Sequence, residues 1–162
     1  GLQLLPDGTD YRKVGGTCNH HGPSDRADVP PECRTPDDNH WGTGDLVTTV
    51  KSVADNFDDS VGRIRVNDMS LPCGGTFDVA GDWTTKPSGH SRTMGHSFGR
   101  GVDISTKIVT PSGAIDTDGL AEVKQALKKT SLILTTDTTH FQPNKYLLES
   151  KGKPNEHVHV MK

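Results

Sequence analysis

The sequence is poor in the material from which large cores and membrane anchors are made. Only 30% of its 162 residues are hydrophobic and 5% aromatic, so the interior must be small and the surface extensive. No apolar run approaches the ~20 residues of a membrane-crossing helix, and residues 1–5 are too few for the apolar region of a secretory signal. Charge of neither sign dominates: 18 Lys and Arg stand against 21 Asp and Glu. Without a basic excess there is no electrostatic footprint for a phosphate backbone or an anionic membrane, and nucleic acid is not an expected partner. Cysteine is also scarce. Cys18, Cys33 and Cys73 have no zinc-knuckle spacing, and an odd number leaves one over however the others pair. Cys18 and Cys33 bracket a polar stretch containing proline, where a disulfide would help, so that pair with Cys73 free is expected; three free thiols are the alternative. A disulfide would place the chain in a secreted, periplasmic or otherwise extracytoplasmic setting.

What is abundant is turn-forming residues, 18 Gly and 10 Pro, so a modest core must carry many loops, where functional sites are commonly built. The length suits one globular unit. Residues 1–43 lack periodicity and read as an irregular N-terminal arm packed on a single domain of residues 44–162. From Gly44, Leu46, Val47, Val50, Val53, Ala54 and Phe57 recur at three and four residues, as on one face of a helix. Val61 to Leu71 alternates as a half-buried strand with Ile64 and Val66 inward, and Val102 to Val109 reads as a second. Leu120, Val123 and Leu127 predict a second helix, with Asp116 or Asp118 near its start and Lys128 and Lys129 at its end, as the helix dipole favours. Leu132 to Leu134 follows as a buried strand, and Glu156 to Val160 closes the chain as another. Helices between non-consecutive strands imply an α+β fold, an antiparallel sheet with helices on one side and a metal cleft on the sheet.

Two short segments carry the chemistry. His96 and Asp103 are seven residues apart with Gly99 and Gly101 between them, so a bent loop can return both side chains to one ion. In His157-Val158-His159 the strand period puts both imidazoles on one face while Val158 and Val160 face the core. Together the two segments supply two neutral nitrogens and one carboxylate, the three-ligand pattern of a catalytic Zn2+ with a fourth position left for water.

Met94-Gly95-His96-Ser97-Phe98-Gly99-Arg100-Gly101-Val102-Asp103-Ile104 with the distant His157-Val158-His159 resembles the zinc-binding core of the hedgehog/D-Ala-D-Ala-peptidase superfamily, which includes penicillin-insensitive murein endopeptidases. The likeness extends to Asn67-Asp68-Met69-Ser70-Leu71-Pro72, Gly74-Gly75, Phe77-Asp78, Asp82-Trp83 and, more loosely, residues 39–43. It implies that His96, Asp103 and His159 bind zinc and that the substrate is a peptide, with peptidoglycan cross-links as the family's case. Met94 and Gly101 stand where the carboxypeptidase branch has Ser and Ala, so the resemblance carries the metal set and not that branch's specificity.

A zinc peptidase also needs a base beside the metal. His157, two residues before His159, matches the His-x-His of the endopeptidases, and strand alternation favours it. Glu156, three before His159, matches the Glu-x-x-His of the carboxypeptidases and would require a bulge after Pro154. His140 is a further candidate for the site, and Arg63, Arg65 and Arg92 are candidates to stabilise an oxyanion. The expected function is therefore zinc-dependent hydrolysis of a peptide or amide bond. A zinc-containing binding or signalling module of the same fold, without turnover, is the alternative. Oligomeric state is not legible.

Overall fold

A computed structural model describes residues 1–14, 40–70 and 98–162. Among the described residues two helices and ten short strands form a mixed α+β arrangement. The strands are β1 (Gln3–Leu4), β2 (Tyr11–Lys13), β3 (Trp41–Gly42), β4 (Ile64–Val66), β5 (Gly101–Ser105), β6 (Lys107–Ile108), β7 (Thr117–Asp118), β8 (Ile133–Leu134), β9 (Lys145–Glu149) and β10 (His157–Met161). The helices are α1 (Gly44–Asp55) and α2 (Leu120–Lys129). No helix among these residues is long and apolar enough to cross a membrane.

Both helices start and stop where local chemistry dictates. Thr43 caps α1, its hydroxyl accepting from the Leu46 N–H at 3.2 Å, and Asp45 adds negative charge to the first turn. The helix ends as Asn56 folds its side-chain amide back onto the Ser52 carbonyl at 2.8 Å. Gly119 precedes α2 without a side-chain cap, while Lys128 and Lys129 sit in its last turn. Both bury their apolar stripe: Leu46, Val47, Val50 and Val53 from α1, and Val123, Ala126 and Leu127 from α2, pack with Val102, Ile104, Val158 and Val160 in one cluster.

The main sheet has six strands in the order β2-β4-β5-β10-β9-β8. Its centre is antiparallel, as expected, but β2 lies parallel to β4 and β8 parallel to β9, so the sheet is mixed. Each edge strand reaches its neighbour through a long connection rather than a hairpin, which permits the parallel sense. The N-terminal stretch, expected to be irregular, supplies β1, β2 and β3 where it is described, and Leu5 and Tyr11 join the core. The strand expected over Val61 to Leu71 contracts to three residues. The strand expected to be buried at Leu132 to Leu134 lies at the sheet edge, with Leu132 buried but Ile133 and Leu134 exposed. Cys18, Cys33 and Cys73 lie outside the described residues.

Pleating separates two chemistries in the central strands. Val102 and Ile104 of β5 and Val158 and Val160 of β10 face the helices and are fully buried. Asp103, His157 and His159 take the opposite face. The register sets Asp103 across from His159 and His157 across from Glu149.

At the entry to β4, Gly62 adopts φ +143°, and an added Cβ there would fall 2.1 Å from the Val109 carbonyl oxygen. That carbonyl accepts from the Arg63 N–H, so the backbone has little room to retreat. Gly62→Ala is expected to destabilise the protein by about 2 kcal/mol or more. Gly113→Ala, also at positive φ but with open space around it, should cost about 1 kcal/mol. Denaturant unfolding of the two variants compares clash plus strain with strain alone.

Candidate metal centre

Three adjacent strands assemble the polar group on the face of the sheet opposite the helices. β5 contributes Asp103, β10 contributes His157 and His159, and β9 contributes Glu149. His159 is fully buried and donates from Nδ1 to Asp103 Oδ1 at 2.6 Å. On the other carboxylate oxygen, Asp103 Oδ2 lies 3.6 Å from His157 Nε2, and His157 Nε2 is 2.9 Å from Glu149 Oε2. Asp103 thus stands between two imidazoles, one of which is tied to a second carboxylate. One ligand atom each from Asp103, Glu149 and His157 lie within 4.8 Å of one another, so these three could hold a metal ion.

The protonation of His157 follows from its partners. Nδ1 is 2.8 Å from the Asn155 carbonyl, which can only accept, so Nδ1 carries a hydrogen. Nε2 faces the carboxylates of Glu149 and Asp103, which are acceptors when ionised, and a second proton must lie there. Burial of the ring opposes that charge. The hydrogen bond to Glu149, the field of Asp103 and the Asn155 contact outweigh it and raise the His157 pKa to about 9. Without metal, this proton and the one on His159 Nδ1 hold together a site whose carboxylates would otherwise repel. A bound cation would take over that role and displace them.

Of the residues expected from sequence, Asp103, His157 and His159 converge, while His96 lies outside the described residues, as does Arg92. Glu156 points elsewhere: its Oε2 accepts from the Gly152 N–H at 2.8 Å and closes the turn between β9 and β10. Strand alternation begins at His157 without a bulge, as the continuous pairing of residues 157–161 with β5 and β9 shows. His140 is exposed and bonded into a turn built on Asp137, its Nδ1 2.8 Å from Thr139 Oγ1 and 3.2 Å from Asp137 Oδ2. Arg65 donates to the Ile115 carbonyl at 2.7 Å and Arg63 to the Thr9 carbonyl at 3.2 Å, so both are engaged elsewhere.

Glu149 is the residue sequence reasoning missed. Its signal was present in Lys145-Tyr146-Leu147-Leu148-Glu149, a β-prone run followed by a Gly, Pro and Asn turn and then the His157 strand. Read as a hairpin, that pattern brings Glu149 near His157. Compared with known proteins, the chain matches no family model and no curated protein.

Because the folded pKa of His157 lies above the ordinary 6.5, its interactions stabilise the metal-free protein fully below about pH 6.5. That contribution is lost as pH rises through about 9. Thermal unfolding of metal-free protein should therefore show Tm falling over this window, and Glu149→Gln should flatten the fall. NMR titration of the His157 ring checks the same point: its midpoint should stand well above 6.5 and drop in Glu149→Gln.

Proposed function

We propose that the protein is a zinc-dependent peptidase, with the metal held by His96, Asp103 and His159 and proton transfer assigned to His157 and Glu149. The observation that carries the reading is the position of Asp103, with one carboxylate oxygen on His159 and the other toward the hydrogen-bonded His157–Glu149 pair. The donors are imidazole nitrogens and carboxylate oxygens, the set that suits Zn2+. Zinc bound there would supply Lewis acidity, polarising a peptide carbonyl and making water acidic near neutral pH.

The remaining work falls to the chain's own groups. The Asn155 carbonyl fixes the His157 ring through Nδ1 and leaves Nε2 as the nitrogen that exchanges a proton. Glu149, on the same nitrogen, can accept that proton or stabilise the imidazolium while His157 holds it. The pair can take a proton from an attacking water and return it to the departing amine. The Val158 and Val160 side chains lock β10 into the core and hold the pair's geometry. By resemblance, the substrate class is a short or cross-linked peptide, with peptidoglycan as the family's case, in an extracytoplasmic setting.

Metal analysis together with digestion of cell-wall muropeptides, read by mass spectrometry, tests the assignment. One zinc per chain is expected, and Ala at His96, Asp103 or His159 should abolish both binding and turnover. His157→Ala and Glu149→Gln should retain zinc while turnover falls by roughly 10² to 10⁴, the range for loss of a positioned acid-base group. Loss of zinc in His157→Ala would instead make Asp103, Glu149 and His157 the ligand set. Full metal loading without cleavage of any peptide would favour a binding module.

A further inference from the structure

We infer that Arg100 anchors a carboxylate of the bound peptide, beside the cluster of Asp103, Glu149, His157 and His159; the inference rests on the peptidase reading and names the substrate's charge. The same face of the sheet that carries the cluster changes character one pleat along. Leu147 lies directly across from His159, and Met161 follows His159 on β10. The two are buried against each other and covered by Phe141, apart from the main core. The Arg100 guanidinium lies over the Phe141 ring at 4.6 Å from its centre.

That stacking fixes the guanidinium plane, as does the bond from Arg100 Nε to the Lys162 carbonyl at 2.9 Å, answered by Lys162 N–H to the Arg100 carbonyl at 2.8 Å. The two terminal nitrogens of Arg100 have no hydrogen-bond partner among the described residues and stand in an exposed position. A guanidinium held in place with its fork open suits a carboxylate, which it binds through two parallel hydrogen bonds. The surroundings reinforce the sign. Lys145 and Lys162 lie in the same region, and segments 98–102, 141–147 and 160–162 contain no acidic residue.

Distance fits as well. Asp103 and Arg100 are three residues apart along an extended segment, about 10 Å at the strand rise. A peptide bound in extended form has a similar rise. The anchored carboxylate would thus sit one to three residues from the bond at the cluster. Two sources share this chemistry, a C-terminal α-carboxylate and an acidic side chain.

The test uses three acetylated tripeptides: Ala-Ala-Ala as the free acid, its C-terminal amide, and Ala-Ala-Glu amide. Binding to the whole chain, metal-free and zinc-loaded, is measured by calorimetry or NMR. At least one carboxylate-bearing peptide should bind about tenfold more tightly than the neutral amide, and whichever does identifies the source. Arg100→Gln should erase the preference, Arg100→Lys should keep part of it, and Lys124→Gln on α2 should leave it intact. Equal binding of all three peptides to the unaltered protein, or a preference that survives Arg100→Gln, would overturn the inference. Cleavage of the same peptides by the zinc-loaded protein is scored separately and decides the peptidase reading. Where cleavage occurs, Arg100→Gln should raise KM for the carboxylate-bearing substrate with kcat little changed.

Discussion

The antiparallel pairing of β10 between β5 and β9 is the constraint on which the candidate site depends. Side chains in a strand alternate with period two, so a slip of one residue would exchange the faces. It would carry His157 and His159 into the core and expose Val158 and Val160. Two fully buried side chains of β10, Val158 and Val160, packed in the same cluster as Val102 and Ile104 of β5, oppose such a slip through the loss of their burial, at roughly 1.5–3 kcal/mol each. The register of the polar group is therefore held by the hydrophobic energy of the opposite face. Asp103 meets His159, and His157 meets Glu149, because valines and an isoleucine on the far side cannot be moved.

The polar face makes a second demand on the same strands. Two carboxylates and two imidazoles gathered at hydrogen-bond distance, one imidazole fully buried, repel or desolvate one another unless positive charge is supplied. In the protein without metal, the proton that His157 holds toward Glu149 supplies it, while the His159 ring donates a hydrogen bond to Asp103. The high proton affinity of His157 and the gathering of Asp103, Glu149 and His157 into a group that could hold a metal ion are two expressions of one concentration of negative charge. The Glu156 carboxylate, by contrast, bonds a turn N–H and takes no part.

Beyond the cluster the sheet becomes apolar and then cationic, from Leu147 and Met161 to Phe141 and Arg100. A gradient of this kind along one sheet face gives an extended ligand a direction. The polar cluster lies at one end, and the apolar pair with the Arg100 guanidinium lies at the other. Arg100 directly precedes β5, whose third residue is Asp103, so the strand that carries the cluster's carboxylate begins at the guanidinium-bearing residue.

Local pattern alone was enough for the elements whose information is local. The periodicity of Leu46, Val47, Val50, Val53 and Ala54 defines α1, that of Val123 and Leu127 defines α2, and the alternation of residues 157–160 assigns two histidines to one face. The pairing of His96 with Asp103 rests on spacing and resemblance, and His96 lies outside the described residues. What only the tertiary structure decided was partnership across strands. Nothing local to Glu149 says that it will meet His157, because that contact arises from strand register across a turn. The parallel edges of the sheet and the exposure of Ile133 and Leu134 are of the same kind. An apolar run states that burial is favourable but not which neighbour provides it, and at the edge of this sheet no further strand among the described residues covers it. Sequence determines which faces are apolar and which residues can bear charge; the packing of distant segments determines which charges meet.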